Sequence, residues 1–282
     1  MKIHVDGGVI NGKLMEASED KLVVLVAGSG PTDMNGNSPL IEGDNDSFLQ
    51  LAKALKNEGI STFRYDKRTA GGSLKTFEKN QVITFEDFVE DLNCVVRKMK
   101  SLGYEKVIIL GHSQGSLVGM IAAEENDADG FISLAGSGEN IGDTMIKQYM
   151  VDEVTYEKHI KLINKLLIGE TDPNGEAVDP MFSMTNQEFL LTWMRYDPKK
   201  EMEKLDMPVL VIQGQKDLQV KEYDAGLLND AAKESKLVLI ENMNHVLKDV
   251  NTDEDNVKSY GDPSYGINRE LIEEIKDFVN VI

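Results

Sequence analysis

Residues 107–125, VIILGHSQGSLVGMIAAEE, constrain this chain more than any other stretch. Val107, Ile108, Ile109 and Leu110 form a short continuous apolar run, the pattern of a strand buried on both faces. After them Leu117, Val118, Met120 and Ile121 fall near the helical period of 3.6. Gly111-His112-Ser113-Gln114-Gly115 therefore stands at a strand-to-helix corner. Glycines on both sides predict that strand and helix backbones approach too closely to admit a Cβ atom. Such a turn lifts the serine hydroxyl clear of the sheet, where it can act as a nucleophile.

Further apolar runs at 21–28, 60–66, 130–136, 207–214 and 235–242 alternate with helical patterns at 47–59, 84–103 and 268–282. That alternation predicts an α/β fold with a mostly parallel sheet flanked by helices. Thr84 is the expected N-cap of the 84–103 helix and Gly103 its end. Cys94 lies within this helix and is expected to be a buried core thiol. Residues 139–204 break the alternation, being helical in pattern and rich in Met and aromatic residues. This predicts a core domain of residues 1–138 and 205–282, with 139–204 as a helical lid or cap insertion over the carboxyl ends of the strands.

The chain has 282 residues and a formal net charge of −19. That charge argues against nucleic acid and anionic membranes as partners, since both would repel it. One cysteine precludes an internal disulfide and fits a reducing, cytoplasmic compartment. The polar, glycine-interrupted first twelve residues read as neither signal peptide nor anchor.

A serine hydroxyl needs a base, and the base needs an orienting third group. In a sheet of this kind the acid and then the histidine follow the serine, in loops at the carboxyl ends of strands. His245 follows the 235–242 run in such a loop and is the expected base. His4 comes too early, His159 lies in the insertion, and the backbone direction aims His112 away from the serine. Asp217, three residues beyond Gly214, is the expected acid; Asp224, Asp230 and Asp249 are more poorly placed. The oxyanion of acyl transfer needs preorganised N–H donors. The backbone N–H of Gln114 is one candidate, and that of Ser29, in the glycine-bearing loop AGSGPTDMNGNS (27–38), is the other. Apolar residues of the insertion, Trp193 and Met194 foremost, are expected to contact substrate. The loop lacks the lysine and the spacing of a P-loop.

These motifs together resemble the α/β-hydrolase superfamily, and within it bacterial serine esterases and the related serine aminopeptidase-type and acyl-thioesterase-type hydrolases. The likeness rests on VAGSGPTD as the oxyanion loop, FRYDKRTAGGS beside it, GHSQG as the nucleophile elbow, and QGQKDLQV with MNHVLK as the acid and histidine loops. The elbow is similar to that of feruloyl and cinnamoyl esterases. The resemblance implies an α/β-hydrolase fold, with Asp66 and Arg68 bracing loops. It implies hydrolysis of a carboxylic ester with a small neutral or hydrophobic acyl group, through an acyl-enzyme on Ser113. It implies no metal and no organic cofactor, and a small-molecule ester as the partner. Thioesterase or peptidase chemistry uses the same triad, and a catalytically silent binding protein could keep the fold. The oxyanion loop has Ala27-Gly28 where many relatives have His-Gly, so the histidine that usually supports it is missing here.

Overall fold

The computed structural model describes residues 1–18, 20–79, 81–150 and 156–282. Eight strands form one sheet in the order β1-β2-β4-β3-β5-β6-β7-β8. They are β1 (Lys2–Val5), β2 (Gly8–Met15), β3 (Lys21–Val26), β4 (Ser61–Tyr65), β5 (Lys106–His112), β6 (Gly130–Leu134), β7 (Val209–Gly214) and β8 (Ser235–Ile240). β1 and β2 pair antiparallel, as do β2 and β4; every other pairing is parallel. The predicted mostly parallel sheet is thus present, extended at one edge by an N-terminal hairpin that the sequence reading did not anticipate. Its turn is Asp6-Gly7, with Gly7 at φ 74°.

Period-two alternation along the buried strands builds two cores, one on each face. Val24, Val26, Val107, Ile109, Phe131, Val209 and Val211 face one side, whereas Val23, Leu25, Ile108, Leu110, Ile132, Leu210 and Ile212 face the other. Helices α1 (Ser47–Asn57), α2 (Phe85–Ser101) and α3 (Gln114–Glu125) follow β3, β4 and β5 respectively. α2 begins in a capping box: Asp87 N–H donates to Thr84 Oγ1 at 3.3 Å, and Thr84 N–H donates to Asp87 Oδ2 at 2.7 Å. Cys94 differs from expectation. It sits at the flank of α2, half-buried, with Sγ 3.2 Å from the Arg97 guanidinium, because the apolar stripe of that helix runs through Leu92, Val95, Val96 and Met99 instead.

Between β6 and β7 the described residues form α4 (Ile141–Tyr149), α5 (Tyr156–Leu167), α6 (Met184–Trp193) and α7 (Pro198–Met202). Residues 151–155 of this segment lie outside the described residues. The segment has its own small core of Met145, Leu162, Ile163, Leu166, Phe182, Leu190 and Met194. It is fastened to α2 where the Trp193 and Phe85 rings stack 5.8 Å apart and Phe85 N–H donates to Thr192 Oγ1 at 2.8 Å. α8 (Glu222–Ala231), α9 (Asp253–Lys258) and α10 (Arg269–Val281) complete the chain, with Leu271, Ile275 and Val279 of α10 in the core shared with α1. Among the described residues no helix is long and apolar enough to cross a membrane.

Candidate active site

Ser113 joins β5 to α3 with φ 54° and ψ −123°, a region that side chains other than glycine rarely occupy. The two glycines make this corner possible by close approach. A Cβ on Gly111 would lie 2.2 Å from the carbonyl oxygen of Gly115, and one on Gly115 would lie 2.4 Å from that of Val26. Both neighbours are backbone, so neither can swing aside. Gly115→Ala is accordingly expected to destabilise the fold by about 3 kcal/mol through overpacking. Chemical denaturation checks this as a lowered midpoint at unchanged slope; an unshifted midpoint would refute it.

His245 lies in the loop after β8 and Asp217 in the loop after β7, both buried. His245 Nδ1–H donates to Asp217 Oδ2 at 2.7 Å, which leaves Nε2 as the proton acceptor of the ring. Asp217 Oδ1 accepts from the N–H groups of Gln219 (2.7 Å) and Val220 (3.0 Å), and Oδ2 also accepts from Gln213 Nε2 at 3.1 Å. Burial pushes the Asp217 carboxyl up. The neighbouring His245 and these N–H donors outweigh it, so the net shift is downward and the group is ionised at neutral pH. Asp224, by contrast, is engaged by Gly138 N–H and Ser137 Oγ and stands apart from this set.

His112 was expected to point away from the reacting centre. Its ring lies against the histidine loop: Nε2–H donates to the carbonyl of His245 at 2.8 Å, and the two rings lie 4.8 Å apart. Burial foremost, then the proximity of His245, lowers its pKa to about 3, so it stays neutral and serves as a strut. Adjacency to the serine was the one signal for this role, and it does not specify which way the ring rotates. Gln213, wholly buried in β7, was missed for a simpler reason: in sequence it is one polar residue in an apolar strand.

Gln114 opens α3, so its backbone N–H belongs to the first turn, where no intrahelical acceptor exists. The Gly28–Ser29 backbone runs alongside the nucleophile: a Cβ on Gly28 would sit 3.0 Å from Ser113 Cβ. The loop is braced as expected from its neighbour. Asp66 accepts from Met34 N–H through Oδ1 and from Gly72 N–H through Oδ2, each at 2.8 Å. Arg68 grips Asp91 with two bonds of 2.8 and 2.7 Å.

Ser113, Gln114 and Ser29 border two hollows. One, of about 570 Å³, also holds His245, Phe48, Leu40, Phe189 and Tyr260 in its wall. The other, of about 440 Å³, is lined by Leu117, Ile141, Met145 and Val220. Trp193, Leu190 and Met181 face both. Met194 does not: its side chain belongs to the small core of the helical segment, because it lies one residue further round the helix than Trp193. Phe189 and Leu190 occupy the wall position expected of it.

Comparison with known proteins finds relatives by sequence and by fold. Esterase EstD of Thermotoga maritima is 27% identical over 239 residues, covering 80% of this chain and 54% of the relative. The chain therefore spans about half the length of that curated relative. Est1E from Butyrivibrio proteoclasticus superposes with a TM-score of 0.64 at 19% identity, covering 100% of this chain and 99% of that one. An esterase of Pyrococcus furiosus gives 0.64 at 15% identity, covering 100% and 90%. An enol-lactonase from Burkholderia xenovorans gives 0.61 at 14%, covering 99% and 100%. These structural likenesses establish the α/β-hydrolase fold. The family described as serine aminopeptidase, S33, matches residues 44–190, more than half of the sequence, and the chain belongs to that family.

Proposed function

We propose that this protein is a carboxylic ester hydrolase that works through an acyl-enzyme on Ser113. The carrying observation is the strained Ser113 corner opening on the same hollow as His245, whose Nδ1–H is held 2.7 Å from Asp217. In this reading His245 Nε2 takes the Ser113 proton as Oγ attacks the ester carbonyl. Asp217 keeps the tautomer and stabilises the imidazolium, and the N–H groups of Ser29 and Gln114 receive the oxyanion. Collapse of the tetrahedral intermediate expels the alcohol with the proton from His245, and water then repeats the sequence to release the acid. The esterase name of the Thermotoga relative supports the same reaction.

The walls favour a neutral ester over a peptide with a free amino end. Among the described residues no Asp, Glu, Lys or Arg borders the larger hollow, and the smaller has Glu139 alone, which is paired with Lys147. Among the described residues an α-ammonium would find no unpaired carboxylate there. We further infer that the helical segment 139–204 acts as a cap on a core of residues 1–138 and 205–282, setting substrate size without taking part in the chemistry. Turnover of p-nitrophenyl esters of increasing chain length tests the activity, with an aminoacyl p-nitroanilide as the competing substrate.

Trp193→Ala should change which ester is preferred. Enlarging the hollow is expected to raise the ratio of kcat/KM on the hexanoate to that on the acetate about tenfold, the scale on which pocket size discriminates. Equal losses on both esters would mean that the stack on Phe85 is the only role of the ring.

A further inference from the structure

Lys67 follows Asp66 in the turn after β4 and is 4% exposed. Its Nζ donates to the carbonyl oxygen of Gly28, and the Phe88 ring lies 5.4 Å from it. Among the described residues no carboxylate forms an ion pair with it; the buried carboxylate of Asp91 on α2 is held by Arg68 instead. Burying an ammonium on one carbonyl and one ring is costly, and burial lowers its pKa to about 7. An apolar side chain of equal length would serve packing better.

The carbonyl that Lys67 grips belongs to the peptide unit whose other end is the Ser29 N–H. In a trans, planar peptide the C=O and N–H point in opposite directions, so fixing one fixes the other. Gly28 has no side chain to restrain this peptide, and Gly30 beyond it turns the loop at φ 73°. A donor on the carbonyl also polarises the peptide and strengthens its N–H. An amine donates in either protonation state, so the restraint does not depend on charge.

We propose that Lys67 is a positioning residue that orients and polarises the Gly28–Ser29 peptide so that Ser29 N–H can receive the oxyanion. This rests on the ester-hydrolase reading of Ser113. Because the oxygen gains its charge only on the way to the tetrahedral intermediate, Lys67 acts on kcat and leaves KM nearly unchanged.

The test is the steady-state kinetics of wild type, Lys67→Met and Lys67→Gln on p-nitrophenyl acetate, with thermal melts alongside. Lys67→Met keeps the chain length and removes the donor. Loosening one oxyanion donor without deleting it is expected to lower kcat about 10- to 100-fold, with KM within about threefold of wild type. A folded Lys67→Met enzyme with kcat within about twofold of wild type, or a loss carried by KM, would overturn the inference. Should Lys67→Met not fold, Lys67→Gln is judged by the same two constants; failure of both to fold would make Lys67 a core residue and overturn it too. Wild-type inactivity on every ester would instead contradict the reading of Ser113, and the inference with it.

Discussion

Ser113→Ala should lower kcat on p-nitrophenyl acetate by about 10⁴-fold or more, the scale for removing a triad nucleophile, while the protein stays folded. The fold should survive because the substitution removes one oxygen at the mouth of a hollow and leaves both flanking glycines in place. The strained φ of 54° at this position remains as demanding for alanine as for serine, so the corner itself is not relieved. Circular dichroism and the melting temperature should match wild type. Near-wild-type turnover by a folded variant would remove Ser113 from the mechanism.

His245→Ala should cost about as much, and Ser113→Ala/His245→Ala should be little worse than either alone, since nucleophile and base act as one unit. Asp217→Asn should follow with a loss approaching 10⁴-fold, for a reason specific to the hydrogen bonding. Asp217 Oδ2 accepts from both His245 Nδ1 and Gln213 Nε2, whereas an amide nitrogen there would oppose a second donor. The imidazole would then flip tautomer or lose its anchor, and Nε2 would cease to be the acceptor. Losses that multiply in the Ser113/His245 double variant would show that the two residues do not share one reaction step.

How far the sequence carried these assignments depended on whether the signal was local. Ser113 was legible because strand, corner and helix are consecutive, and the glycines report steric contacts whose partners lie close by. His245 and Asp217 were legible through topology: each follows an apolar run, and parallel strands bring such loops to one edge of a sheet. The β1–β2 hairpin was missed although Asp6-Gly7 is a known two-residue turn signal. β1 is short, both strands mix polar with apolar residues, and only pairing of β2 with β4 makes them part of the sheet. Cys94 shows the limit of periodicity, which marks a helix but blurs the edge of its buried stripe.

The roles of His112 and Lys67 could not be read from the chain, because each depends on a backbone carbonyl contributed by a distant loop. His112 meets the carbonyl of His245, 133 residues away, and Lys67 meets that of Gly28, 39 residues away. A carbonyl has no sequence signature, so contacts of this kind emerge only from the fold. The same holds for Met194, whose neighbour Trp193 faces the hollows while it faces inward.

The most direct test of the central claim is intact-mass spectrometry with peptide mapping after exposure to an organophosphonate ester. One adduct per chain is expected, on the peptide carrying Ser113, with ester turnover lost in proportion to labelling. Ser113→Ala should take up none, and His245→Ala should label far more slowly. Full esterase activity in a protein that carries no adduct, or inactivation through an adduct on another residue, would contradict it.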